Sequence, residues 1–262
     1  MKHSPGLIGQ ITKLLIFANV AVFALEAVLG PSFTGQISTI FGLSSTGLAN
    51  GWWWQLVTHQ FLHGNSVHLL VNMLMLWFVG RDMEDVLGQI AFLGLYIGGG
   101  IAGGLCQLPF LAPGGVLIGA SGSVCAVLLA LTTMFPKVSV TALLFFVLPV
   151  RLKAGLLGIV VVAGSILLWV SGLAPSIGHA AHLGGFAFGI FYAFAARLIF
   201  AGKRHTSTNS IADDWNTGMD LPQASTRDEA VEKLLRHGLE SLSKAEVLLL
   251  ESPTQRGGSR WH

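Results

Sequence analysis

The chain has 262 residues, of which 52% are hydrophobic and only 11% charged. A soluble domain carries about 25% charged residues, so a soluble globular enzyme is excluded and an integral membrane protein is indicated. The net charge of +2 reflects where basic residues fall between apolar segments and gives no sign of nucleic-acid binding. Cys106 and Cys125 both lie within apolar runs. They show neither a disulfide framework nor metal-ligand spacing and do not indicate a redox compartment; no metal or other cofactor is expected.

Lys2 and Lys13 precede an apolar run at 14–25, as in a signal peptide. No A-x-A site ends that run, and Glu26 stands where small residues would be wanted. The segment is therefore expected to stay as a first span. Five more candidates follow, giving six at roughly 11–29, 67–79, 90–107, 118–135, 154–172 and 180–200. The second is short, and His68 and Asn72 make one side of it polar. The apolar stretch 138–150 is too short to span. With Pro149, Arg151 and Lys153 at its end, it is expected to lie at the interface.

All fifteen Lys and Arg residues can be placed on one side of such a bundle. Arg81 falls between spans two and three, and Lys137, Arg151 and Lys153 between four and five. Arg197, Lys203 and Arg204 close span six. The segments 30–66, 108–117 and 173–179 carry none. The positive-inside rule then puts both termini in the cytoplasm. The long first outer loop is rich in Trp, Phe and Gly, and Trp52, Trp53 and Trp54 suggest an interfacial anchor.

After residue 200 the composition turns polar, and 201–225 reads as a flexible linker. Helical periodicity returns from 226. Gly238 is suited to end one helix, and Ser243 with Glu246 forms a capping box for another. The fold class expected is therefore all-α. Residues 1–200 form a six-helix membrane domain, followed by the linker and by a small cytoplasmic helical hairpin at 226–262.

Histidine and asparagine are costly inside a bilayer and default to functional sites. Ser121 opens span four, between Gly119 and Gly122, after a breaker at Pro113, Gly114 and Gly115. A helix from Ser121 to the Pro136 and Lys137 stop has about 15 residues, or about 22 Å, short of a hydrocarbon core of about 30 Å. Anchored by Lys137, it leaves the serine below the outer surface. His182 lies in the first turns of span six, as the only histidine expected on it. His68 and Asn72 are i, i+4 on one face of span two. Three spans thus present polar groups at similar depth.

Ser121 is a weak nucleophile that needs a base, and His182 is the candidate. The Ser121 amide, Asn72 and His68 are candidate donors to an oxyanion. No Asp or Glu lies on the outer half of spans two to six, which favours a dyad over a triad. Gly185 and Gly189, with Ala181 and Ala193, form a small-residue stripe that lets span six approach span four. Taken singly these features are weak. A lone G-x-S-G is more often helix packing, and an i, i+4 His–Asn pair also serves as an interhelical hydrogen bond. Their coincidence at one depth favours a site.

Five motifs carry a specific resemblance. They are Phe61, Leu62, His63 and Gly64; His68-x-x-x-Asn72 with Met73; Gly80-x-x-x-Glu84-x-x-x-Gly88; Gly119, Ala120, Ser121 and Gly122; and Ala181 and His182 with Gly185 and Gly189. In order and spacing they resemble the rhomboid family of intramembrane serine proteases. The resemblance implies Ser121 as nucleophile, His182 as base, and His68 and Asn72 as oxyanion stabilisers. It implies structural hydrogen bonding by His63 and Glu84. Residues 238–242 resemble a short C-terminal extension of some bacterial members. One departure is Gln55, where many members have arginine after tryptophan, which leaves open how the first loop is anchored. The implied activity is cleavage of transmembrane protein substrates in or beside their membrane helices, with the lipid bilayer as the other partner. The rival readings are a catalytically silent member that binds membrane clients, and a small channel with a polar path. The channel reading requires polar groups reaching the cytoplasmic side, and spans four and six are apolar below Ser123 and His182.

Overall fold

A computed structural model describes residues 9–144, 148–173 and 177–215. The chain divides into two units, Met1–Ala201 and Gly202–His262. The expected hairpin at 226–262 lies outside the described residues.

The first unit is mostly helical. α1 (Gln10–Leu29) is followed by three short helices in the first loop: α2 (Pro31–Phe41), α3 (Ser45–Ala49) and α4 (Gln55–Thr58). A 3₁₀ turn at His59–Phe61 leads to α5 (Ser66–Met75), which continues through a π-helical turn at Leu76–Gly80 into α6 (Arg81–Leu87). Then come α7 (Gln89–Gln107), α8 (Ser121–Met134), α9 (Ala154–Ser171) and α10 (His179–Trp215). α10 therefore makes the first part of the segment expected as a linker, 201–225, helical.

Among the described residues, four helices are long and apolar enough to cross a bilayer: Gln10–Leu29, Gln89–Phe110, Ala154–Ser171 and His179–Leu198. A fifth span is available if Gln55–Phe61 and Ser66–Leu87, bent by 98° at their junction, count as one. Residues such as Val28 and Ile90 on this surface are each 82% exposed. A soluble protein does not present apolar surface on this scale, and the bilayer covers it. The chain is an integral membrane protein.

Two expectations are corrected. The second span does not stop at 79, because Arg81–Leu87 continues the helix. Its charges read as a loop, yet Glu84 points inward and is 3% exposed. The Glu84 carboxylate accepts hydrogen bonds from the Ile11 amide (3.0 Å), the Thr12 amide (2.9 Å) and the Thr12 hydroxyl (2.8 Å). Those amides open α1 and have no intrahelical partner, so Glu84 caps α1 from a distant part of the chain. Bonds to a charged acceptor contribute about 1.5–3 kcal/mol each. The other correction concerns the all-α fold class: β1 (Ser139–Leu144) and β2 (Leu148–Lys153) pair antiparallel, with Ser139 opposite Lys153. β-branched Val140, Thr141 and Val150 suit an extended chain better than a helix.

α8 lies at the centre. It is 14 residues long, about 21 Å. Gly122, Ser123, Val124 and the run from Ala126 to Ala130 are all buried. A helix apolar on every side is stable only when enclosed. Its C-terminal carbonyls at Thr133 and Met134 accept from the Arg197 guanidinium, a cation placed where the helix dipole favours one.

Candidate active site

The loop before α8 is pinned to the first loop. Leu117 and Leu43 exchange backbone hydrogen bonds of 2.8 and 2.9 Å, and the Gly119 amide donates to the His59 carbonyl at 2.9 Å. Gly119 has φ +128°, a conformation that suits glycine. A Cβ there would also lie 2.6 Å from Cε1 of His68. The histidine ring thus packs directly over this backbone, two residues before Ser121.

Ser121 is the first residue of α8. The helix closes its first hydrogen bond from Val124 to Ala120 at 3.0 Å, so the amides of residues 121–123 precede the ladder and face outward from its positive end. Behind them, the buried Ser123 hydroxyl donates to Oε1 of Gln60 at 2.9 Å. Gln60 in turn donates to the carbonyls of Leu56 and Ile97. This network ties α8 to α4 and α7.

Gln55 organises the first loop itself. It is fully buried. Its Oε1 accepts from the Ser44 amide at 3.1 Å, and its Nε2 donates to the Thr39 and Ile40 carbonyls at 3.1 and 3.2 Å. Trp54 adds a 2.9 Å bond from Nε1 to the Ile40 carbonyl while staying 44% exposed. A buried glutamine and a half-exposed tryptophan thus anchor this loop.

The two halves of the α5 pair sit close together. Asn65 caps α5 by accepting from the His68 amide at 2.8 Å. Nδ2 of Asn72 donates to the His68 carbonyl at 3.0 Å and meets Nε2 of His63 at 3.3 Å. The His63 and His68 rings meet edge to face at 5.1 Å. His63 and Asn72 are buried, whereas His68 is half-buried.

α10 meets α8 backbone to backbone. A Cβ at Gly185 would collide with the Gly122 carbonyl oxygen, and one at Gly189 with that of Ala126. On the adjacent flank a Cβ at Gly103 of α7 would lie 2.6 Å from the Ala181 carbonyl oxygen. Glycine at these positions permits an approach no larger residue allows. The Ala181 amide is held by Oε1 of Gln107 at 3.1 Å.

Ser121, Asn72 and His182 line one cavity of about 370 Å³, walled by α5, α8, α9 and α10. His68 borders the α8 start through Gly119, and His63 stands behind Asn72. Glu84 lies away from this cavity, at the N-terminal end of α1. Among the other side chains lining the cavity are Cys125 and His179, which the sequence did not single out. Cys125 follows Ser121 by one helical turn. His179 is 5% exposed, and its ring meets that of His182 at 6.2 Å, edge to face. α10 starts at His179, one residue before the expected span, so His182 is not its only histidine. The i, i+3 spacing of the two histidines was the available signal.

Residues 50–198 match the family described as Rhomboid domain. The chain belongs to the rhomboid family. Among its rhomboid relatives are "Rhomboid protease GluP" of Bacillus subtilis, 28% identical over 73% of this chain and 36% of that protein. "Presenilin-associated rhomboid-like protein A, mitochondrial" of Danio rerio is 34% identical over 52% of this chain and 36% of the relative. "Rhomboid protein 1, mitochondrial" of Saccharomyces cerevisiae is 35% identical over 52% and 40% respectively. This rhomboid chain thus spans well under half the length of each of these three relatives.

Proposed function

We propose that the protein is an intramembrane serine endopeptidase that hydrolyses peptide bonds in or next to transmembrane segments of membrane protein substrates. The observation that carries this reading is the shared cavity: a serine at the start of an enclosed helix, with a histidine and an asparagine on two other helices lining the same space. In this reading His182 takes the Ser121 hydroxyl proton as Oγ attacks the scissile carbonyl carbon. The carbonyl oxygen becomes an oxyanion, met by the amides at the α8 start, by Asn72 and by His68. His182 then returns the proton to the leaving amine as the peptide bond breaks and an ester to Ser121 forms. A water, deprotonated by His182, hydrolyses that ester and restores the serine. Such donors contribute roughly 10²–10³-fold each, and base catalysis about 10²–10⁴-fold.

Asn72 already donates to the His68 carbonyl and to His63, so it serves an oxyanion by exchanging the His63 contact. His63 and Glu84 act structurally, the first beside Asn72 and the second at the α1 cap. Substrate helices that unwind easily are favoured, because an intact helix keeps its carbonyls hydrogen-bonded. The purified protein in lipid should cut a model transmembrane substrate, and a fluorophosphonate should label it at Ser121. A folded protein that neither labels nor cuts would overturn the protease reading and favour a silent client-binding member.

We further infer a six-span bundle, counting the bent pair as span two and the short α8 as span four. Enclosure by α7, α9 and α10 relieves α8 of the need to match the bilayer thickness. The Lys and Arg distribution supports placing the residues before α1 and after α10 in the cytoplasm, and we read the membrane as a bacterial inner membrane. Reporter fusions at Gly51 and after residue 204 should then report opposite sides. A translocated reporter after 204 would reverse the placement of Ser121.

A further inference from the structure

The ribbon of β1 and β2 runs directly into α9, since Lys153 ends β2 and Ala154 starts the helix. α9 is long and apolar enough to cross the bilayer, so the ribbon stands where that helix enters it. The register sorts the side chains into two faces. Ser139 lies opposite Lys153, Val140 opposite Leu152 and Thr141 opposite Arg151. Successive residues of a strand point to opposite sides. Val140, Val150 and Leu152 therefore share one face, and Ser139, Thr141, Arg151 and Lys153 share the other. Across the polar face the Lys153 ammonium donates to the Ser139 hydroxyl at 3.1 Å. Arg151 and Lys153 are both exposed, and Val150 on the apolar face is 37% exposed.

The backbone adds a second constraint. The Ala154 amide donates to the Val138 carbonyl at 2.8 Å. Hydrogen-bonded pairs alternate along an antiparallel ladder, so Val140 and Leu152 form the next such pair. Ser139, Thr141 and Leu143 then turn their amides and carbonyls to the outer edge of β1, where no third strand pairs among the described residues. Arg151 and Lys153 do the same on β2, and Pro149 on that edge has no amide hydrogen to satisfy. A two-stranded ribbon alone is marginal in water, and its apolar face needs cover. Burial in hydrocarbon is no better, because the edge groups would lose their partners there. The head-group layer meets both demands, with acyl chains under Val140, Val150 and Leu152 and water or phosphate oxygens beside the edges. Charge sorts the same way. No Asp or Glu occurs between residues 86 and 212, whereas Lys137, Arg151 and Lys153 all fall between α8 and α9. The ribbon's cations thus have no acidic neighbour in sequence.

We propose that this amphipathic ribbon is a docking surface for anionic phospholipid head groups. Arg151 and Lys153 stand two residues apart on one strand, about 7 Å, and phosphodiester oxygens accept from both. The Arg151 guanidinium meets a phosphate with two parallel N–H donors. A zwitterionic lipid has the same phosphate but carries its own ammonium, so it gains less from these cations. The inference is independent of the chemistry at Ser121, and lipid retention reads it without turnover.

The test is native mass spectrometry of the full chain, delipidated in detergent and offered phosphatidylglycerol and phosphatidylcholine with identical chains. One cation near a membrane surface contributes about fivefold to anionic-lipid binding, so wild type should retain phosphatidylglycerol about tenfold or more over phosphatidylcholine. Arg151→Gln with Lys153→Gln should cut that preference by about fivefold or more at an unchanged thermal transition. Arg256→Gln with Arg260→Gln removes the same charge from the last residues of the chain, and should change the preference by less than about twofold. Equal retention of both lipids by wild type, or a preference unchanged in the ribbon double variant, would overturn the proposal. An equal loss in the two double variants would also overturn it, because net charge alone would then attract the lipid. Should the ribbon double variant fail to fold, Arg151→Gln alone takes its place, with a loss of about threefold or more expected and an unchanged preference again decisive against the proposal.

Discussion

Ser121→Ala and His182→Ala should each abolish cleavage of a transmembrane substrate, and the double variant should be scarcely slower than either. In the proposed mechanism Ser121→Ala removes the oxygen that forms the ester, and His182→Ala removes the group that accepts its proton. Residues that act as one unit lose their effect once, so the losses do not add. Asn72→Ala should behave differently. It deletes one of several donors, and turnover should fall by about 10–10³-fold without vanishing. The fluorophosphonate separates the cases, labelling wild type and the Asn72 variant but leaving Ser121→Ala unmodified. His179 is the internal control for the histidine assignment. If His182→Ala keeps activity and His179→Ala loses it, the base has been assigned to the wrong ring of the pair.

Gly185→Ala, a single added methyl group, should be nearly as damaging. The new Cβ meets the Gly122 carbonyl oxygen, with the Cβ of Cys125 at 3.2 Å beyond it. Backbone cannot rotate away as a side chain can, so α10 must move off α8. Overpacking of this kind costs about 1–3 kcal/mol. The displacement also carries His182, one turn earlier on α10, away from Ser121, and a misplacement of about 1 Å is enough for a loss of about 10²-fold. Both the thermal midpoint and the turnover should therefore fall. Gly94→Ala in α7 is the comparison, because nothing lies within 4 Å of a Cβ there. It should be neutral or stabilising by up to about 1 kcal/mol through helix propensity. Wild-type turnover in Gly185→Ala would show that the close approach does not position the histidine.

Much of this arrangement was legible in the chain because it rests on local rules. The glycine- and proline-rich breaker and the Pro136 stop bracket α8, and the helix begins at Ser121. Small residues four apart on α10 face its neighbour. Other features were illegible for a common reason: their partners are remote in sequence. Gln55 reads as an ordinary polar loop residue until Thr39, Ile40 and Ser44 close around it. Gln60 gains its meaning from Ser123, 63 residues away. The charges from Arg81 to Asp85 look like the end of a span, and only the open amides of α1 explain why Glu84 is inside. The ribbon at 139–153 was missed because short apolar runs carry no decisive period. His179 was assigned to a loop because Pro175 and Gly178 precede it.

The cap on α1 has a consequence for biogenesis. Thr12 and Glu84 are 72 residues apart, so the amino end of the first span waits for its acceptor while the ribosome adds that length of chain. At about 5–20 residues per second the delay is about 4–14 s. Throughout it, the leading amides of α1 depend on water or on the insertion machinery. The amino end of α1 is thus completed only after α6 has been made, and the two enter the finished bundle as a pair.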